Sequence, residues 1–336
     1  MKDQLVVVTG GGGFIGGHLV GDLRKRGHTN IKSVDIKPTS EWYQVFDRVE
    51  NVVADLKLLE NCRDACRGAL HVYNLAADMG GMGFIEHNKA LCMLSVLINT
   101  HMLQAAQECG VERFFYSSSA CVYNADKQKD TNVTALREAD AYPALAEDGY
   151  GWEKLFSERM CRHFREDYGI ATRVARLHSI YGPKGTWDGG REKVPAAICR
   201  KVIEAKVSGI HEIEIWGDGE QTRSFMYISD CLLGIDKIMA SDILEPLNLG
   251  SNELVSINQL VTIIENIAGI ELKRSYKLDA PMGVNGRNSD NALIQKYLNW
   301  ESSVSLREGL QETYKWIHEQ YQARERGLPG SYQSVN

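Results

Sequence analysis

The run Leu5-Val6-Val7-Val8-Thr9-Gly10-Gly11-Gly12-Gly13-Phe14-Ile15-Gly16 decides the fold. Its four leading apolar residues are a short run of the buried-strand kind. Glycines follow at 10, 13 and 16, and from Phe14 to about Arg26 the pattern turns amphipathic at helical spacing. Strand, glycine turn and helix in that order let a backbone come close to a pyrophosphate. The helix N-terminus then offers N–H groups and the positive end of its dipole to the phosphates. Gly10, Gly13, Phe14, Ile15 and Gly16 are the candidate cofactor contacts at this turn. A second strand, Ile31 to Asp35, ends on a carboxylate, where an acid meets the adenosine ribose hydroxyls. Asp35 therefore favours NAD over its 2′-phosphorylated counterpart. Lys37 is read as a solvated lysine after the strand. Asp55 could face the adenine, or cap a helix expected over Leu56 to Cys66.

Further strands read at Val52-Val53, His71 to Leu75 and Phe114 to Tyr116. Helical stretches read at about Ile85 to Cys109 and Tyr150 to Tyr168. Such alternation predicts an α/β fold of the Rossmann-like kind, a doubly wound parallel sheet with helices on both faces, over residues 1–180. After Tyr181-Gly182-Pro183 the pattern loosens. Short strands (Ile213 to Trp216, Pro246 to Leu249) mix with helices near Pro195 to Ala205, Ser256 to Ala268 and Leu306 to Tyr321. Residues 181–326 are expected to form a smaller C-terminal α/β substrate lobe over the cleft, with some chain crossing back to the sheet. Residues 327–336, polar and rich in Gly, Pro and Ser, are expected to be a flexible tail.

The chain has 336 residues, 43% hydrophobic and 24% charged, as ordinary globular enzymes are. A formal charge of −6 leaves no basic footprint for nucleic acid. No leader-like segment precedes the first strand, and no apolar run is long enough to span a membrane. Eight cysteines occur without a C-x-x-C pair. Cys62 and Cys66 share a helix face, but nothing completes a zinc site, so no metal is expected. Free thiols fit a reducing cytoplasm.

Tyr150 and Lys154 lie on one face at the start of a helix. An ammonium near a phenol favours the phenolate, so Tyr150 is expected to be a usable base near neutral pH. Ser119 follows the fifth strand, at the carboxyl edge where such sheets bind ligands. Tyr-x-x-x-Lys beside a Ser suits hydride transfer on an alcohol. Cys121, two residues after that Ser, and Lys193, in a Gly-rich segment, supply a second acid/base pair that a plain dehydrogenase does not need. Together they suggest brief oxidation of a sugar, inversion of carbon centres and re-reduction.

Thr9-Gly10-Gly11-x-Gly13-Phe14-Ile15-Gly16 and Gly149-Tyr150-Gly151-Trp152-Glu153-Lys154, with Arg176, Tyr181-Gly182-Pro183 and Gln221-x-Arg223-x-Phe225, resemble the hallmarks of the extended short-chain dehydrogenase/reductases acting on nucleotide sugars. Within them the chain is similar to the 3,5-epimerases whose substrate is GDP-mannose. Ala76 to Ile85, with its Met79-Gly80-Gly81-Met82-Gly83 core, carries this narrower likeness. So do Ser118 to Tyr123, Gly185 to Lys193, Trp216 to Gly219 and Gly286 to Asn291. The resemblance implies that Tyr150 takes the proton from the carbon 4 hydroxyl while NAD takes the hydride. The ketone then acidifies carbons 3 and 5, Cys121 removes a proton from one face and Lys193 delivers one from the other. NADH finally returns the hydride, and the cofactor stays bound and recycled. Ser119 would hold the carbon 4 oxygen. Met79, Gly80, Gly81, Gly83, Ser179, Trp216 and Gln221 are the implied sugar and nucleotide contacts. Arg223 and Arg287 are the implied diphosphate ligands, since guanidinium forks fit phosphate oxygens. The chain departs from the pattern at Ser179, where Asn is common, at Asn285, where a second Arg is usual, and at Gly149, where Ala is commoner.

A related GDP- or UDP-sugar enzyme is the alternative, heptoses included: a 4-epimerase, or a 4,6-dehydratase that would want an acidic pair after Ser119. A non-catalytic NAD sensor is more distant. The apolar helices near 85–109 and 150–168 are expected to pair two subunits into a homodimer.

Overall fold

The structure is a computed structural model that describes residues 2–327, together with 334 and 335. The expected flexible tail lies mainly outside the described residues. Ser334–Val335 stand in parallel pairing with Val45–Phe46.

Seven parallel strands form the central sheet. In spatial order they are Leu247–Leu249, Ala171–Leu177, Arg113–Ser119, Ala69–Asn74, Leu5–Thr9, Ile31–Asp35 and Glu50–Val53. Almost every residue of Leu5–Thr9 and Arg113–Ser119 is buried, as strands covered on both faces must be. One apolar cluster fills one face, with Leu19, Val20 and Leu23 of the first helix against Ile235, Ile238 and Met239. Another fills the opposite face, with Met102, Leu103, Phe114 and Cys161 among its members. Register brings Thr9, Asn74 and Ser119 to the carboxyl edge, with Thr9 beside Asn74 and Ser119 beside Leu177. Strand order reverses about Leu5–Thr9, which opens a crevice there.

Three expectations need correction. Pro246 to Leu249 was expected in the smaller lobe, but Leu247–Leu249 is the edge strand of the central sheet. All three of its residues are buried, and a short apolar run does not reveal which sheet it joins. The helix expected from Ile85 to Cys109 is three, Met82–His87, Lys89–Met93 and Ser95–Glu108. Asn88 breaks it by turning its side-chain amide back to the Phe84 carbonyl (2.8 Å). The helix after Asp55 starts only at Leu59, so Asp55 does not cap it. Its carboxylate instead accepts the Lys57 N–H (2.9 Å) in a local turn.

The second apolar mass lies in the C-terminal half. Helices Val194–Ser208, Ile257–Ala268 and Leu306–Glu325 pack Ile198, Val202, Leu260, Ile264, Leu310 and Ile317 against the strand Glu212–Trp216. Ser256 and Ser305 begin two of these helices with capping boxes to Gln259 and Glu308.

A buried polar chain ties the central sheet to the helix that bears Tyr150. Arg176 grips Glu158 with two bonds (2.7 and 2.9 Å), and Ser118 donates to the same carboxylate (2.5 Å). His178, 1% exposed, holds Asn248 through Nε2 (3.0 Å), while its Nδ1 has no hydrogen-bond partner among the described residues. Burial depresses the His178 pKa to about 3. The unfolded chain binds that proton near the ordinary histidine value, so stability should fall as pH drops below about 6.5. This group alone should account for about 3 kcal/mol by pH 4. Denaturant curves from pH 7 to 4 should therefore be steeper in pH for the wild type than for His178→Gln. Equal slopes would show that His178 is not the group responsible.

Candidate active site

The glycine turn is built as a close-approach backbone. Gly10 adopts φ +68°, open to glycine, and a Cβ on Gly16 would run into the Gly10 carbonyl. Thr9 pins the turn to the next loop, donating to Asn74 (2.8 Å) and accepting the Leu75 and Ala76 N–H groups (3.0 and 3.1 Å). Asp35 is buried at the end of its strand, one carboxylate oxygen on the Gly12 N–H (3.1 Å) and the other on that of Lys37 (3.0 Å). Lys37 is not the solvated lysine expected. Its ammonium donates to the Gly12 carbonyl (2.7 Å) and lies 5.2 Å from the Tyr43 ring centre. Phe14 stands edge-on to His18, whose ring meets the Pro183 carbonyl (2.9 Å). Ile15 packs into the adjacent core. The turn, its helix and the Asp35 carboxylate thus fit a dinucleotide's pyrophosphate and adenosine ribose. Asp55 lies further along the same edge, half-buried in its own turn.

Ser119 ends its strand, and its hydroxyl accepts the Cys121 N–H (3.2 Å), starting a short 3-10 turn over Ala120–Val122. That turn lays Cys121, 9% exposed, beside Tyr150, in a small cluster with Ile85 and Cys92 that Met79 and Phe84 cover. Tyr150 sits in the first turn of Asp148–Tyr168. A Cβ on Gly151 would strike the Cys121 carbonyl, so helix and thiol turn are in backbone contact.

The proton on Tyr150 is held more firmly than the sequence suggested. Burial raises the phenol well above its ordinary range, Cys121 and Glu153 add to this, and a hydrogen bond with Ser119 offsets part. Lys154, 1% exposed, donates to the Ser117 carbonyl (3.0 Å), with its Nζ 5.6 Å from the Tyr150 ring centre. Burial also lowers its own pKa. Burial therefore works against what the Lys154 ammonium does for the Tyr150 phenolate. Desolvation is a property of the folded packing that a Tyr-x-x-x-Lys spacing cannot report.

Lys193 is the N-cap residue of Val194–Ser208. Burial lowers its pKa, while the nearby Cys121 and Cys231 thiols pull it back up. Its segment meets the Met79–Gly83 loop directly, since Gly81 donates to the Arg191 carbonyl (3.1 Å) and a Cβ there would hit Glu192. Gly80 is pressed on the Phe84 ring and Gly83 on that of Trp216. Gln221, buried, donates to the Trp216 carbonyl (2.8 Å), and its Oε1 has no partner among the described residues. Ser179 has φ +40°, strained for serine and better tolerated by asparagine.

Arg223 spends its guanidinium on carbonyls, those of Thr222 (2.7 Å), Met282 (3.1 Å) and Val284 (2.5 Å). Among the described residues no carboxylate pairs with it. Burial, and then the charge of Arg287, bring its pKa down to about 10. Arg223, without a carboxylate partner and beside a second guanidinium, favours a bound anion.

Arg287, the other implied diphosphate ligand, also lies against the thiol. Its Nε donates to Gln128 (2.7 Å), one terminal nitrogen to Glu147 (2.6 Å) and the other to the Cys121 sulfur (3.5 Å). Glu147 is the residue that sequence reasoning missed. It puts a carboxylate near the thiol, where Ala120-Cys121 offered none. The available signal was an acid three positions before Tyr150, at the start of its helix. Burial raises Glu147, but Arg287, by charge and hydrogen bond, outweighs this and holds it below its ordinary range. It is a single carboxylate bound to Arg287, not the acidic pair after Ser119 that a 4,6-dehydratase would want.

Residues 6–250 match the NAD dependent epimerase/dehydratase family. The chain belongs to that family. It is 47% identical to GDP-mannose 3,5-epimerase 1 of Oryza sativa subsp. japonica over 316 residues, 94% of this chain and 82% of that protein. It is 45% identical to GDP-mannose 3,5-epimerase of Arabidopsis thaliana over 318 residues, with the same two shares. Among solved structures it is similar to MoeE5 in complex with UDP-glucose and NAD, with a TM-score of 0.77 and 28% identity, covering 93% of this chain and 97% of that one. The resemblance read from the motifs is upheld at the level of this family and its GDP-mannose 3,5-epimerases.

Proposed function

We propose that this family member epimerises a GDP-activated sugar, GDP-mannose, at carbons 3 and 5, with NAD as a cofactor recycled on the enzyme. One observation carries the reading: a buried thiol, Cys121, packs beside Tyr150 and next to Ser119, and Lys193, from a separate segment that meets the Met79–Gly83 loop, is close enough to couple to it electrostatically. Two acid/base groups from separate segments suit inversion, which needs a proton removed from one face and returned to the opposite one. Gly10, Gly13, Gly16 and Asp35 would hold NAD, which supplies a reversible hydride acceptor and, oxidised, a positively charged ring.

Tyr150 takes the hydroxyl proton of carbon 4 as the hydride leaves. Ser119 donates to the carbon 4 oxygen where charge develops. The new carbonyl lets a carbanion at carbon 3 or 5 delocalise as an enolate, and Cys121 removes that proton. Lys193, whose burial weakens its hold on a proton, reprotonates the opposite face. Tyr150 returns its proton when carbon 4 is reduced. Met79, Gly80, Gly81 and Gly83 let the loop approach the sugar, with Ser179 at its far side. Trp216 and Gln221 face the nucleotide, and Arg223 and Arg287 supply positive charge for the diphosphate.

Incubation with GDP-mannose in heavy water, read by NMR, tests the reading. Deuterium should enter carbons 3 and 5. Label-free product inverted only at carbon 4 would identify a simple 4-epimerase instead.

Met93, Leu94, Leu97, Trp152 and Phe156 are exposed on neighbouring helices. They support a homodimer formed through this face, with a second copy as occupant, and light scattering reads the result. Among the described residues no helix is long and apolar enough to cross a membrane. Eight free thiols, seven of them buried, support a reducing cytoplasmic setting.

A further inference from the structure

Glu147 and Cys121 are coupled through both backbone and side chains. The Glu147 N–H donates to the Cys121 carbonyl (2.9 Å), which fixes where the carboxylate leaves the chain. Arg287 then bridges the two side chains, its fork on Glu147 at 2.6 Å and on the sulfur at 3.5 Å, braced from behind by the fully buried Gln128 at 2.7 Å. Each of the three guanidinium nitrogens thus has a fixed partner.

We propose that Glu147 is a positioning residue for the Cys121 step: it anchors Arg287 against the sulfur and faces the thiol with a fixed negative charge, so that the pair governs when the thiol becomes a base. This rests on the reading of Cys121 as the base at carbons 3 and 5. Arg287 favours the thiolate, as an adjacent cation does, and the Glu147 charge opposes it. The other groups facing the sulfur are the Ser119 hydroxyl, the protonated Tyr150, Lys154, Lys193 and Arg223, with Cys92 packed nearby. Glu147 is the one carboxylate among them. Burial first, then Glu147, push the thiol up to about 11, with Arg287 and Ser119 offsetting part. The thiolate is therefore a minor form at neutral pH, and the Cys121 step proceeds from it, the thiol proton having passed to solvent before the carbon-bound proton is taken. A base so weakly acidic is strong once deprotonated, which suits removal of a carbon-bound proton.

The test reads the thiol first without sugar. Alkylation of Cys121 by iodoacetamide is followed at that peptide by mass spectrometry between pH 6 and 9. Glu147→Gln keeps the shape and removes the charge. A like charge at this range moves a pKa by about 1–3 units, and nucleophilicity falls as the pKa falls, so the net rate should rise about 3- to 30-fold. Glu147→Asp, which keeps the charge, should stay within about twofold of wild type on the same reasoning. An unchanged or slower Glu147→Gln overturns the proposal. Should that variant not fold, the wild type decides. Its alkylation rate must climb without a plateau to pH 9, and a plateau at the free-cysteine pKa of about 8.5 overturns the idea. With GDP-mannose, the pH profile of deuterium uptake at carbons 3 and 5 should move down in Glu147→Gln, while NADH formation keeps its profile. Faster alkylation with an unmoved uptake profile also overturns the positioning role. Failure of Cys121 as the base would appear separately, as uptake that persists in Cys121→Ala.

Discussion

Tyr150→Phe should cut turnover by about 10²–10⁴-fold and keep the NADH band from appearing when GDP-mannose is added. Every later step waits on the carbon 4 ketone, because only the carbonyl makes the neighbouring C–H bonds acidic. Tyr150 is the phenol beside Ser119, and Phe keeps its ring within the cluster of Ile85, Cys92 and Cys121. The variant removes the proton acceptor and little packing. The site must also overcome a cost, since burial, Cys121 and Glu153 all hold the phenol proton in place. Lys154 and the charge of the oxidised cofactor ring are the cations available to favour the phenolate. The activity of the wild type should therefore depend on Lys154, and Lys154→Met should resemble Tyr150→Phe while also loosening NAD. Single-turnover absorbance gives the answer. A wild-type yield of NADH from Tyr150→Phe would remove the phenol from the oxidation.

What the sequence made legible is what short spacing encodes. The glycine turn, Asp35, Ser119 and the Tyr150–Lys154 helix face lie within local segments whose geometry follows from period and order. The parallel sheet followed from the strand–helix alternation. What it left hidden depends on residues far apart in the chain. Glu147 meets Arg287 across 140 positions, and no local pattern announces that pairing. Leu247–Leu249 reads alike whether it joins the central sheet or a separate lobe, and its place was fixed by pairing with Ala171–Leu177. Lys37 looked solvated because nothing in its neighbourhood shows that Gly12 will present a carbonyl to it. Lys154 was expected to govern Tyr150 by proximity, but desolvation dominates, and that is set by everything packed around the ring. Chemistry-bearing residue types were readable, whereas the charges and burial that tune them were not.

Cys121→Ala should abolish deuterium uptake at carbons 3 and 5, by at least about 10²-fold, while NADH still forms from GDP-mannose. The two halves of this result come from different groups. Oxidation at carbon 4 uses Tyr150 and Ser119 and does not need the sulfur: Cys121 only strengthens the hold on the Tyr150 proton, and Ser119 accepts the backbone N–H of residue 121, which alanine keeps. Uptake needs a base on the face that the thiol serves. Lys193 is assigned the opposite face, and Arg287 holds Glu147 below its ordinary range, a poor base for a carbon acid. With the base gone, the ketone has nowhere to send its proton, so the intermediate should accumulate or return to GDP-mannose. Alanine also frees the third edge of Arg287, which stays anchored on Gln128 and Glu147, so folding should survive. Cys121→Ser is the stricter variant, because a hydroxyl of similar size has no accessible anion at this pH and should be nearly as inactive. Lys193→Ala should differ in kind, losing inversion while still permitting exchange on the face that Cys121 serves. If Cys121→Ala labelled both carbons at the wild-type rate, the proton would have to leave by way of Lys193 alone, and one-sided chemistry could not invert either centre.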